Sequence, residues 1–550
     1  MTTPLRLVQS NLLSLRCMAR RLTRGAPRLV DGVFGGWLIV ASSAAAQEVI
    51  RDFHGQPTPT YGNDQFGLST AVIGDVDGDG VVDLVVGCPN EDRAKAGRAD
   101  GVVYVISGAT GVEIRSHVGT RFEQLGMKVA AGSDLDGDGV GEYVATPDLM
   151  RNQIVYAWSG ATGALLYSIA PSSGEAFNTI QPVICLLQDL DGDGGGEIGI
   201  GGITITGSSW VGKLFVYAGR TGARLFEYLS PSATGPGGGV FSACRLGDLN
   251  GDSIEEFGVA YSYNGDYFDI VDGAFHVYLA SVTGDIGTGD FGSSCGRLGD
   301  VDRDGIEDFV VADDQFSGVI GRIYVFSGAT FQRLFTIDSP DPNAGPYFGL
   351  VPADGRFDFD GDGWADIASG VGDWLFQPPG FQYTFASVFS GKTGRLLYEW
   401  KAADHPVTGD ELLGWSVAVA DVNGDGFGDL LAGAPMNGTV PKSGGVVHAF
   451  SGNDLLLQAN DDEYAAGRSI DLWTRGGEPG GLTLLAVTDI DGTPTFDELA
   501  LTTLDSFGES TLSDIVPSGL AGMTFTLEAY ATRPLRRGLE ISSKLVLRFQ

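Results

Sequence analysis

Asp75-Val76-Asp77-Gly78-Asp79-Gly80-Val81-Val82-Asp83 sets four carboxylates at alternate or near-alternate places in nine residues and runs directly into the apolar Leu84-Val85-Val86-Gly87. The same grammar returns six times, with loop starts at 134, 189, 248, 300, 358 and 421, separated by 59, 55, 59, 52, 58 and 63 residues. A period this regular over 550 residues is a repeat architecture, in which each unit is one supersecondary element that buries its faces against its neighbours.

Alternate acids converge on one cation when the chain coils tightly. The expected ligands sit at loop positions one, three, five and nine. They are Asp75, Asp77, Asp79 and Asp83; Asp134, Asp136, Asp138 and Glu142; Asp189, Asp191, Asp193 and Glu197; Asp248, Asn250, Asp252 and Glu256. The later loops supply Asp300, Asp302, Asp304 and Asp308; Asp358, Asp360, Asp362 and Asp366; Asp421, Asn423, Asp425 and Asp429. Glycine at position six permits the sharp turn in all copies but the fourth, where Ser253 stands. Position seven offers its carbonyl, and the ninth-position acid is expected to close the shell with both oxygens. All-oxygen, anionic ligation selects a hard ion, and no paired His or Cys at these loops suits zinc, so Ca²⁺ is the expected cofactor. An EF-hand would need an acid at position twelve, where the first two copies have Val86 and Ala145, and a helix on each side.

Each loop is followed by short β-rich runs. In the second copy these are Tyr143-Val144-Ala145-Thr146, Ile154-Val155-Tyr156-Ala157-Trp158 and, after the turn Ser159-Gly160-Ala161-Thr162-Gly163, Leu165-Leu166-Tyr167-Ser168-Ile169. With the run before the loop they read as four antiparallel strands. Seven such units lie in the range of a closed propeller, which leaves no end face to cap. The fold expected is therefore all-β, a seven-bladed β-propeller over 47–459, followed by a small C-terminal β-sandwich over 460–550, where the repeat grammar stops and simple alternation begins. Glu48-Val49-Ile50-Arg51-Asp52-Phe53 resembles the fourth strand of the first unit, Glu113-Ile114-Arg115-Ser116, and is expected to complete the seventh blade; Leu455-Leu456-Leu457-Gln458 competes for that place. The third and fourth units are expected to be the least regular, the third for want of a Phe-Gly opening and the fourth for its lost loop glycine.

Residues 1–46 read as a secretory signal: six arginines, then the apolar run from Val33 to Ala46, then a small-residue cleavage site before Gln47. The run is too short to span a bilayer comfortably, so the chain is expected to be secreted or held at the cell surface and not integral to the membrane. A formal net charge of −36 argues against nucleic acid. Much of that charge is local, since 26 carboxylates lie at the ligand positions of the seven loops. Cys185, Cys244 and Cys295 precede successive loops by four or five residues and are expected to be buried thiols.

The openings Phe66-Gly67, Leu125-Gly126, Phe291-Gly292, Phe348-Gly349 and Leu413-Gly414, with the loops and the closing Gly433-Ala434-Pro435, resemble the FG-GAP repeats of the propeller at the head of integrin alpha subunits and of many secreted bacterial proteins. That resemblance implies loops whose aspartates serve structure, partner recognition through other loops, and a role in adhesion or surface display. Catalytic groups are sparse. His54, His117, His276, His405 and His448 are scattered, Gly292-Ser293-Ser294-Cys295-Gly296 lacks the setting of a nucleophile elbow, and Asp313-Asp314 and Asp461-Asp462 read as solvated loop acids. A binding or adhesion scaffold contacting extracellular protein or carbohydrate is the main reading, with aromatic stretches at 261–268 and 374–381 as candidate contacts. The alternative is an accessory or catalytic propeller of a polysaccharide-degrading enzyme.

Overall fold

A computed structural model describes residues 49–56, 64–93, 99–179, 182–206, 209–231, 239–261, 267–285, 290–314, 321–340, 348–352, 354–361, 363–371, 384–401, 412–436 and 444–452, together with strands between 456 and 549. These residues contain strands and no helix. They fall into two units, Val49–Phe359 with Gly363–Ser451, and Asp360–Asp362 with Gly452–Gln550.

The first unit is a seven-bladed β-propeller. Its first blade is the antiparallel series Ser69–Gly74, Asp83–Cys88, Val102–Ile106 and Glu113–Val118, and the second is Lys128–Ala131, Tyr143–Thr146, Val155–Trp158 and Leu165–Ile169. In every blade but the third the second strand is buried along its whole length, Asp83–Cys88 and Glu256–Tyr261 being examples, because a neighbouring blade covers each face. That is why they are written as unbroken apolar runs, whereas the outermost strands alternate toward solvent. Six apolar clusters lie between successive blades among the described residues, one of them joining the seventh blade to the first. The innermost strands touch in sequence from the seventh blade through the first to the sixth, and the seventh blade's Ser416–Ala420 meets the sixth through its second strand, Ile367–Val371.

Closure is made by the chain's early strand. Val49–Phe53 pairs antiparallel with Val446–Phe450, setting Phe53 against Val447, and stands as the fourth strand of a blade whose other members are Ser416–Ala420 and Asp429–Ala434. Phe53 is fully buried, and His448 Nδ1 lies 2.7 Å from Asp52 Oδ1. The competing segment Leu456–Ala459 pairs instead with Ser469–Arg475 in the second unit.

The Phe-Gly openings have a packing cause. A Cβ on Gly87 would meet the Gly126 carbonyl oxygen at 2.1 Å, and one on Gly433 would meet that of Gly67 at 2.2 Å. In the first, second and seventh blades the opening glycine thus seats its carbonyl where the preceding blade's second strand has no side chain, whereas Gly292 and Gly349 of the fifth and sixth blades face Ala260 and Ala312. The outer edge is tied as well: Arg115 Nη1 donates to Gly160 O at 2.8 Å, and Arg51 donates to Gly108 O, so an outer strand reaches the hairpin turn of the next blade.

Irregularity falls partly where expected. The third blade has five strands, with Glu175–Phe177 and Ile184–Leu186 both pairing along the long Glu197–Thr206. The fourth is a regular four-stranded blade, because Ser253 adopts φ 74° and makes the turn that glycine makes elsewhere. The sixth is less regular than its sequence suggests. Its inner strand is only Phe348–Leu350, and Asp354–Gly355 pairs in parallel with the fifth blade's inner strand Phe291–Leu298.

The second unit holds a three-stranded sheet, in the order Leu456–Ala459, Ser469–Arg475 and Ser510–Ile515. Its six-stranded partner sheet is built around Leu482–Ile490 and Thr524–Arg533.

Candidate metal centres

Each acidic loop joins the innermost strand of its blade to the second strand, so the seven lie at one end of the propeller. The loops coil through their own amides. The first carboxylate is wrapped: Asp75 Oδ1 accepts Gly78 N at 2.6 Å and Asp79 N at 3.1 Å, while Oδ2 accepts Gly80 N at 2.8 Å. The bond from the sixth-position amide recurs in all seven loops, at 2.8 or 2.9 Å. Positions four and six both take positive φ, a conformation that favours glycine at position four as well as at position six. Arg303 holds that place in the fifth loop at φ 62°, and its guanidinium stacks over Trp364 of the sixth loop, 3.3 Å from the ring centroid. Loops are also tied to one another, Gly196 N donating to Asp134 O at 2.7 Å and Gly428 N to Asp358 O at 3.0 Å.

The ninth-position acids are all buried: Asp83, Glu142, Glu197, Glu256, Asp308, Asp366 and Asp429 are between 0 and 1 % exposed. One oxygen accepts the second-position amide, as in Val76 N to Asp83 Oδ2 at 2.8 Å and Val301 N to Asp308 Oδ2 at 2.8 Å. In the first, fifth and sixth blades the other accepts a glycine amide of the following hairpin turn, from Gly108, Gly328 and Gly391, at 2.9 to 3.0 Å. The acid is therefore a staple between loop and turn, and each oxygen has one lone pair left for a cation.

Oxygens from Asp134, Asp136, Asp138 and Glu142 come within 4.8 Å of one another, as do those of Asp189, Asp191, Asp193 and Glu197. Asp75, Asp77 and Asp83 form a further group, and so do Asp300, Asp302 and Asp304. Asp362 of the sixth loop lies outside the described residues. The seventh loop repeats the hydrogen-bond pattern, Asp421 wrapping Gly424, Asp425 and Gly426. Glu197 Oε1 is buried without a donor in a group of four carboxylates, an arrangement that suits a cation. Burial, with the neighbouring aspartates adding to it, pushes Glu197 up to about 8, Glu142 and Glu256 to about 7 and Asp308 to about 6. The third loop also carries a counter-charge from its turn, Arg220 Nε lying 3.5 Å from Asp193 Oδ1.

The fourth group contains a residue that spacing did not reveal. Asp252 and Glu256 are joined by Asp272, on the hairpin turn, with oxygens within 4.8 Å. Its place is that of Ser107, Ser159, Ser327 and Ser390 in other blades, and comparing the turns by register would have exposed it.

The catalytic candidates do not converge. Gly292-Ser293-Ser294-Cys295-Gly296 lies inside the strand Phe291–Leu298, with Ser294 Oγ 3.3 Å from Val351 O and 3.2 Å from Val351 N. His117 stacks on Trp158 and His276 on Phe226, while His405 and Asp461-Asp462 lie outside the described residues. Asp313 is fully buried on its strand. Of the aromatic stretches, Tyr261, Tyr267 and Phe268 are buried between blades, and 374–381 lies outside the described residues. Cys88, Cys185, Cys244 and Cys295 are free and buried. Among the described residues no helix is long and apolar enough to cross a membrane.

The FG-GAP repeat family matches residues 66–106 and 413–450, which hold the first and seventh loops. Integrin alpha-PS2 of Drosophila melanogaster is 28% identical over 211 residues, covering 37% of this chain and 14% of that protein. Integrin alpha-X of Mus musculus is 30% identical over 96 residues, 16% of this chain and 8% of that protein. Phosphatidylinositol-glycan-specific phospholipase D of Bos taurus is 31% identical over 166 residues, 28% of this chain and 19% of that protein. The match spans less than a fifth of the length of each of these relatives. Repeat motif, blade count and relatives agree: the chain carries FG-GAP repeats on a seven-bladed β-propeller that resembles the N-terminal domain of integrin alpha subunits.

Proposed function

We propose that the chain is a secreted or cell-surface scaffold for binding or adhesion, stabilised by Ca²⁺ in its acidic loops and contacting extracellular protein or carbohydrate. The observation that carries this reading is the gathering of buried and half-buried carboxylates in repeated loops, with Glu197 Oε1 left without a donor. The first, third, fifth and ninth residues of each loop would hold the ion. Its charge would offset repulsion among acids that the fold forces together, so affinity for metal becomes folding stability. The apolar run before Gln47 supports export, and extracellular calcium is abundant enough to fill sites of modest affinity. The likeness to integrin alpha chains supports adhesion. Calcium titration of metal-free protein by calorimetry, with a glycan array and a surface-protein binding screen run in calcium and in chelator, tests both halves. Absence of calcium uptake would refute the metal half, and calcium-independent or absent ligand capture the other.

A second reading is a module that accompanies a polysaccharide-degrading enzyme. The match to a phospholipase D supports association of such propellers with hydrolases. Product release from polysaccharide by the purified chain would favour it.

A further inference from the structure

The fourth loop departs from the pattern in two places, Asn250 at position three and Ser253 at position six, and so has three acids where most copies have four. The hairpin turn of the same blade departs too. Asp272 stands where five other blades have serine, and it is only 6 % exposed. In four of those blades the serine hydroxyl caps the turn, as in Ser107 Oγ accepting Thr110 N at 3.2 Å, and in the first and fifth it also reaches the loop, Ser107 Oγ lying 3.3 Å from Asp79 Oδ2. Asp272 does the first job with one oxygen, Oδ1 accepting Phe275 N at 2.6 Å. Its other oxygen is turned to the loop. There a single amide nitrogen, Asn250 Nδ2, faces Glu256 Oε1 at 2.8 Å, Asp252 Oδ2 at 3.3 Å and Asp272 Oδ2 at 3.4 Å. Two N–H bonds cannot serve three carboxyl groups, two of them buried, and a neutral amide brings no positive charge to the group.

Resting on the calcium reading above, we propose that Asp272 is a ligand of the fourth cation site, its carboxylate replacing from the hairpin turn the acid absent at Asn250. The site then has the same number of carboxylates as the first, drawn from two segments of the blade. The seventh loop supplies a contrast within the chain. It too has asparagine at position three, Asn423, but its turn keeps Ser451, so it has one acid fewer and binds more weakly.

The test is calcium binding by the full chain, followed by calorimetry and native mass spectrometry, with thermal unfolding in calcium and in chelator. Asp272→Ser keeps the turn cap that serine provides in four blades, so the variant folds. It is expected to lose one bound calcium, or to weaken one site by about tenfold or more, since ligand charge count sets affinity in such loops. In calcium its melting temperature falls. In chelator it equals or exceeds that of the unaltered protein, because a repelling charge has gone, whereas loss of a turn cap would lower both curves alike. Asn250→Asp in the Asp272→Ser background returns the carboxylate to the loop and is expected to restore the site. Unchanged stoichiometry and affinity in Asp272→Ser, an equal fall of both melting curves, or no rescue by Asn250→Asp would overturn the proposal while leaving calcium binding standing. An unaltered chain that takes up no calcium overturns both.

Discussion

Thr70 Oγ1 and Ser416 Oγ, 346 residues apart, share a hydrogen bond of 3.0 Å where the innermost strands of the first and seventh blades meet, and the Ser416 hydroxyl lies 2.9 Å from Gly67 O. The ring is thus closed at its centre by side chains and at its rim by Val49–Phe53. Both closures depend on segments from opposite ends of the propeller.

Phe53 fills the cluster between the seventh and first blades and is fully buried. Phe53→Ala is expected to lower unfolding free energy by about 3 to 5 kcal/mol, from lost apolar burial and the cavity left behind. Urea titration in saturating calcium measures it. A change below about 1 kcal/mol would show that the rim strand does not hold the ring.

Stapling by the ninth-position acid should be separable from metal. Asp308→Ala removes the acceptor for both Val301 N and Gly328 N. A loss of about 3 kcal/mol is expected even in chelator, because two buried amides lose their acceptor. Equal stability of the two proteins without metal would assign the residue to ion binding alone.

Without metal, stability should fall as pH rises from 6.5 to 8. Glu197, Glu142 and Glu256 are raised to about 8, 7 and 7 by burial, so the folded chain holds protons there that the unfolded chain, with carboxyls near 4.5, has released. Proton release on unfolding makes acidification stabilising in this window, by about 2 kcal/mol. Bound calcium holds the acids ionised and should flatten the slope. Melting curves at several pH values, with calcium and with chelator, check both slopes.

Glycines of the two kinds should respond differently. Gly87→Ala drives a Cβ into the Gly126 carbonyl and is expected to cost about 3 kcal/mol or more by forcing two blades apart. Gly424→Ala meets open space at φ 74° and is expected to cost about 1 kcal/mol. Equal effects in denaturant titrations would contradict the packing account of the Phe-Gly opening.

The blade count and the closing strand were legible because both are written in residue identity. Acids recur at fixed offsets, and Glu48-Val49-Ile50-Arg51 repeats the outer-strand pattern of Glu113-Ile114-Arg115-Ser116. The extra edge strand Glu175–Phe177 was not, since three residues without alternation carry no local signal and are strand only by pairing with Ile203 and its neighbours. Asp354–Gly355 is likewise made by its partner, Arg297–Leu298. Regularity of the fourth blade was misjudged because Ser253 was read by propensity, whereas the loop's hydrogen bonds hold it at positive φ. At the loops, spacing identified which carboxylates gather but not what else they do. The amide bonds of Asp83 and Asp308 depend on a hairpin some 20 to 25 residues downstream, and Asp272 enters by the same route.

Pairing of Val49–Phe53 with Val446–Phe450 orders events in time as well as in space. Asp52 emerges from the ribosome 396 residues ahead of His448, so the strand that closes the ring travels with an unmatched edge until nearly the whole ring has been synthesised. A chain cut short anywhere before its last hairpin would therefore present that edge to other molecules, a consequence of the same pairing that shuts the finished ring.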